Sequence, residues 1–101
     1  SKTRHRLNIF VSQINNLINS EKQIKLDKLK IMQATGKMKL ADSKFRHGMA
    51  DNDELLESQA EMQQARTELI IDTVAYIIGT YELRSVLGTL IDNSVKPMEN
   101  E

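Results

Sequence analysis

The chain has no cysteine, one proline, four glycines and only two phenylalanines and two tyrosines among 101 residues. The missing cysteines exclude disulfides and thiolate metal sites, a usage compatible with an oxidising compartment. With 28% charged residues against 4% aromatic, the composition suits long solvated helices rather than a globe with a thick core. No run of 18 apolar residues is present, so no helix is expected to cross a bilayer; the longest apolar stretch, Leu69 to Gly79, is broken by Asp72 and Thr73. No signal peptide is visible. The first residue is Ser rather than Met, which suggests an excised or processed piece. Enzyme signatures are missing as well: no phosphate-binding glycine loop, no His-Glu-x-x-His and no nucleophile elbow. His5 and His47 are 42 residues apart and fall at opposite ends of the arrangement derived below. No catalytic residue, metal or cofactor is therefore expected.

Net charge is zero, yet unevenly spread. Residues 1–46 carry 11 Lys/Arg against three acids, and residues 47–101 carry three against 11. A basic arm alone would suggest nucleic acid or anionic lipid. No aromatic side chains interleave with the lysines to stack bases, so the simpler reading is a basic helix lying beside its own acidic partner, with no nucleic acid.

Two apolar ladders with a seven-residue step dominate what is present. One is Phe10, Leu17, Ile24, Ile31, Met38 and Phe45; the other is Leu55, Met62, Leu69, Tyr76, Leu83 and Leu90. A strict heptad marks a left-handed coiled-coil seam, and Gly48 lies between the ladders. The expected fold is all-α, a long antiparallel two-helix coiled-coil hairpin. Helix one is expected over residues 3–45, a turn over 46–51, helix two over 52–93 and a frayed tail over 94–101, all in one domain. Lys44 and Arg46 suit the C-terminal dipole of helix one. Gly48 suits a left-handed terminating position, and Asp51 with Glu54 reads as a capping-box variant. Asp53 and Glu57 add negative charge where helix two starts. At the other end, Lys2, Arg4 and Arg6 oppose the helix dipole and only Thr3 offers a cap, as expected of a helix that begins further upstream.

In an antiparallel hairpin, facing residues have numbers with a constant sum. Phe45 opposite Leu55 sets that sum at 100 and pairs the two ladders throughout. The same sum places intermediate layers at Ile14–Val86, Glu21–Gly79, Lys28–Asp72, Thr35–Ala65 and Asp42–Ser58. Lys28 and Asp72 then form a register-fixing pair at mid-length. Met32, Met38 and Met62 read as core filler, whereas Met49 falls in the turn, which has no core to fill. Gly36, Gly79 and Gly88 suggest close approach of a neighbouring helix or a bend. A second stripe, Ile70, Val74, Ile77 and Tyr81 with Ile71 and Ile78, lies off the seam of helix two. Val11, Ile18, Leu26, Leu29, Met32 and Leu40 lie off that of helix one. Two helices cannot bury both stripes against each other, so further helices are expected as neighbours, and the isolated chain is expected to self-associate.

The stretch from Phe45 to Gln59 resembles the second periplasmic hairpin of the TolC family of outer-membrane channel proteins. The shared pattern is aromatic-x-x-Gly, a capping residue, then acid-aliphatic-Leu-x-x-Gln, matched here by Phe45, Gly48, Asp51, Glu54, Leu55, Leu56 and Gln59. Ala65-Arg66 and Leu87-Gly88-Thr89-Leu90 are similar to recurring segments of that family, and the resemblance spans residues 4–91. It implies the periplasmic portion of a bacterial outer-membrane protein that is a homotrimer when full length. It further implies a tunnel wall built from such hairpins, whose tips dock a periplasmic adaptor and so reach an inner-membrane ABC transporter or pump in type I secretion or efflux. Phe45, His47, Gly48, Met49 and Ala50 would form the adaptor-binding tip. Arg46, Asp51, Asp53, Glu54 and Glu57 would lie at the turn and aperture. The sequence departs from the family in having Phe45 where Tyr is commoner, and Asn52 and Asp53 where aromatic or aliphatic residues are frequent. Ala50 also offers no basic latch. Rival readings are the hairpin of a periplasmic adaptor itself, a generic coiled-coil oligomerisation module, and an RNA-binding helical arm.

Overall fold

In a computed structural model, residues 2–99 are described, and they form two helices: α1 (Lys2–Arg46) and α2 (Asn52–Glu99). No strand occurs among the described residues. The fold is the all-α antiparallel hairpin that the heptads require. The chain packs as two units, one of Lys22–Thr73 and one of Ser1–Glu21 with Val74–Glu101.

In the unit Lys22–Thr73, thick and thin layers alternate along the seam. Met62 is 5% exposed and packs with Ala34 and Ala65, flanked by the half-buried Ile31 and Met38. Asp27, Ala34 and Ala41 are the buried residues of α1, and Ser58, Met62 and Ala65 those of α2. The large layers fall where the ladders put them, apart from the exposed Phe45. The thin layers of α1 do not: they lie three residues after each ladder position, at Asp27, Ala34 and Ala41, rather than four after, at Lys28, Thr35 and Asp42. A coiled-coil seam alternates steps of three and four, and a single constant sum imposed on every layer hides that alternation. Facing thin-layer residues sum to 99, one less than the large layers. Lys28 is accordingly exposed, and the residue meeting Asp72 is Asp27. The expected Lys28–Asp72 register pair is not formed.

Register is marked instead by a flanking ladder of ion pairs: Lys30–Glu68 at 3.7 Å, Lys37–Glu61 at 3.4 Å and Lys44–Glu54 at 3.8 Å. The lysines step by seven in one direction and the glutamates by seven in the other. Each pair is exposed and contributes at most about 1 kcal/mol. Their joint effect is on alignment. Sliding α2 by one heptad would set Ala75 against Lys30, or leave Lys44 facing the turn. This is where the opposite charges of the two helices meet.

In the unit Ser1–Glu21 with Val74–Glu101, the half-buried positions include Phe10, Ile14, Leu17 and Ser20 on α1 and Tyr76, Gly79, Leu83, Val86 and Leu90 on α2, so Ile14 and Val86 are both drawn in as the constant sum expects. Gly79 lies against Leu17; a Cβ there would meet Leu17 Cδ2 at 3.0 Å. Gly79 therefore serves close approach within the chain. Gly36 and Gly88 have open space where a Cβ would sit, so nothing in the chain requires them to be glycine. Gly36→Ala and Gly88→Ala are each expected to stabilise the hairpin by about 1 kcal/mol, the helix propensity difference, read as a rise in thermal midpoint by circular dichroism. Gly79→Ala is expected to gain less, because Leu17 must move.

Both helix ends differ from expectation. α1 starts at Lys2, so Thr3 lies inside the first turn instead of capping it, and that turn holds no acidic residue. α2 runs past Asn93, Ser94 and Pro97 to Glu99. Asn93 Nδ2 donates to the Thr89 carbonyl at 2.7 Å and Ser94 Oγ to the Leu90 carbonyl at 2.9 Å. Both side chains thus bond back along the helix rather than stopping it. The remainder of the expected tail, Asn100 and Glu101, lies outside the described residues.

The stripes off the seam are exposed. On α2 these are Ile70, Ile71, Val74, Ile77, Ile78 and Tyr81, the last with Arg84 over its ring at 5.7 Å. On α1, Val11, Ile18, Leu26, Leu29, Met32 and Leu40 are exposed. Met32 is thus not core filler; it belongs to this outer face. No helix among the described residues is long and apolar enough to cross a membrane.

Candidate docking tip

The tip begins where α1 stops. The Gly48 N–H donates to the Phe45 carbonyl at 3.1 Å and the Met49 N–H to the Lys44 carbonyl at 2.7 Å. Gly48 has φ of 71°. This pair of bonds around a left-handed glycine is a Schellman motif, which satisfies two of the carbonyls left over at a helix end. An L side chain rarely adopts that φ, which is why glycine stands here. The His47 N–H donates to the Ser43 carbonyl at 3.1 Å, and His47 Nδ1 lies 2.7 Å from the same oxygen. A carbonyl only accepts, so Nδ1 is the donor in this contact.

α2 starts with Asp51 as its cap: Asp51 Oδ1 accepts the Glu54 N–H at 2.9 Å. Only half of the expected capping box forms. Among the described residues, no hydrogen bond joins the Glu54 carboxylate to the Asp51 N–H; Glu54 Oε1 instead faces Lys44 across the turn. Arg46 pairs with Asp42 one turn back on α1, not with Asp53 or Glu57, which are exposed. The acids at the start of α2 still suit the positive end of its dipole.

Capping from both sides fixes the backbone of the turn and leaves its side chains outward. Met49 is 76% exposed and Phe45 41%; Ala50 is half-buried. Phe45 was expected to seal the seam against Leu55, but only Leu55 is half-buried. The result is two apolar side chains presented beside His47, bordered by Arg46, Asp51 and Asp53. The arrangement can bind a surface; it holds no group of three or more metal-ligating side chains among the described residues. Lys44 and Ser43 were not singled out as site residues, although Lys44 supplies both a motif carbonyl and the cation for Glu54. The Asp42–Arg46 spacing of four on a helix was a legible signal for that pair.

The molecule is thus defined as a coiled-coil hairpin with a capped, apolar-tipped turn. In comparisons with known proteins, no family model, no curated protein and no solved structure matches the chain.

Proposed function

We propose that this hairpin is one wall element of a TolC-like export channel, lying in the periplasm and docking a periplasmic adaptor through its tip, in type I secretion or efflux. The observation that carries the reading is the tip itself: Met49, 76% exposed, held on a backbone fixed by the Gly48 motif on one side and the Asp51 cap on the other. An unbranched, polarisable side chain in that setting suits an adaptable apolar contact, and a fixed backbone lowers the cost of ordering it on binding. The exposed stripes of both helices supply the second support. A wall needs lateral neighbours, here other copies of the subunit, and the stripes are the surfaces that such neighbours would cover.

The test is made in the full-length protein. Met49→Glu, on an exposed side chain, is expected to leave folding intact and to lower adaptor cross-linking and export at least tenfold, the equivalent of about 1.4 kcal/mol. If both persist at parental levels, the tip does not dock an adaptor.

A further inference from the structure

Asp27 is the most deeply buried side chain in the unit Lys22–Thr73, at 1% exposure. Gln23 Nε2 donates to its Oδ1 at 3.1 Å, and its Oδ2 has no hydrogen-bond partner. A buried carboxylate oxygen without a donor is costly, and nothing on α1 removes that cost. What faces it from α2 is a second carboxyl group, Asp72, on the same thin layer.

Two ionised carboxylates in this position repel, and both oxygens that meet are acceptors. One proton resolves both problems. With Asp72 protonated, its O–H donates to Asp27 Oδ2, the orphaned atom gains its donor, and the layer carries one negative charge instead of two. The Asp72 carboxyl is held above its ordinary value of 3.8 first by this hydrogen bond with Asp27, then by burial and by the charges of Asp27 and Glu68; Lys30 pulls the other way. The other charged groups around the pair leave this balance in place. Lys30, on α1, is engaged by Glu68 of α2 at 3.7 Å, and Lys28 is exposed.

We propose that Asp27 and Asp72 share one proton across the seam and act as a pH-sensitive clamp, drawing α1 and α2 together when the proton is bound and loosening them when it leaves. The sign follows from linkage. An acid whose folded-state value is raised binds its proton more tightly in the folded chain. The stability it confers is complete below 3.8 and is lost as pH rises through the raised value. The pair therefore adds stability as pH falls through the raised value, the reverse of what ion-paired carboxylates give. The clamp does not depend on the export reading.

Thermal unfolding of the full chain followed by circular dichroism, from below pH 3.8 upward, tests it together with carbon-13 titration of the aspartate carboxyls, with Asp72→Asn as the reference that cancels the other titrating groups. The midpoint of the parent is expected to fall relative to Asp72→Asn as pH rises through the raised value, and the Asp72 carboxyl to titrate above 3.8. Asp27→Asn supplies an amide donor in place of the shared proton. It is expected to raise the midpoint at neutral pH, to flatten its pH dependence and to return Asp72 toward 3.8. Asp72→Asn is expected to do the same to the melting curve, and serves if the buried substitution disturbs folding. A difference between the parent and Asp72→Asn midpoints that does not change with pH, or changes in the opposite sense, overturns the clamp, as does an Asp72 midpoint at or below 3.8. So does an Asp27→Asn chain in which Asp72 titrates as before.

Discussion

Replacing Met62 by aspartate is expected to unfold the unit Lys22–Thr73. Among the described residues, Met62 is the only large side chain of the buried apolar set, the others being Ala34, Ala41 and Ala65. Its sulfur lies 3.4 Å from the Thr35 hydroxyl, which donates to the Ile31 carbonyl, and its chain fills the space that the small residues around it leave. An aspartate there would lose those contacts and bury a charge in the seam, a change costing about 3–5 kcal/mol. Domains of this size have a total stability of only about 5–15 kcal/mol, and a two-helix unit with so few buried residues lies at the low end. The expected result is loss of the cooperative transition in a circular dichroism melt. Met62→Leu, which keeps the volume, should cost less than about 1.5 kcal/mol and keep the transition. A cooperative melt in the aspartate variant would show that the seam centred on Met62 is not what holds the unit.

The second large effect is expected at Gly48. A Cβ at this position would meet nothing within 4 Å, so a substitution tests backbone conformation alone. Valine at a φ of 71° is strained, at a cost of about 1–3 kcal/mol. The chain relieves that strain by giving up the bonds from the Gly48 and Met49 N–H groups. Gly48→Val should therefore lower the thermal midpoint and also misplace Met49. Gly48→Asn should do much less, because asparagine tolerates the left-handed region. Equal midpoints for the two variants would contradict the assignment of the Schellman turn.

Much of this architecture was legible from residue spacing. The heptads fixed two helices and their antiparallel pairing, and Gly48 with Asp51 fixed the turn, because a left-handed glycine and a side-chain cap are local devices. The off-seam stripes were legible for the same reason: a side chain's angle around a helix follows from its number. What escaped was set by contacts between helices. From Ser20 to Ala41 the thin layers of α1 lie one residue earlier than a constant sum puts them, although Ser20, Ala34 and Ala41 are small in the way close packing demands. Asp27 was overlooked because an acid in a seam looks like a surface residue until its partner is known. Glu54 has two possible partners, the Asp51 backbone and Lys44, and only the approach of α1 decides between them.

The alternation of Met38, Met62 and Ile31 with Ala34, Ala41, Ser58 and Ala65 has a mechanical consequence. Such a seam is layered, with large side chains facing large ones and small facing small. Sliding one helix along the other by half a heptad would set large against small and break every layer. The next position in which like layers meet is a full heptad away, about 10 Å at about 1.5 Å per residue, and it forfeits part of the lysine–glutamate ladder. Within this unit the helices are consequently held in one register, and a partial slip is opposed at every layer at once.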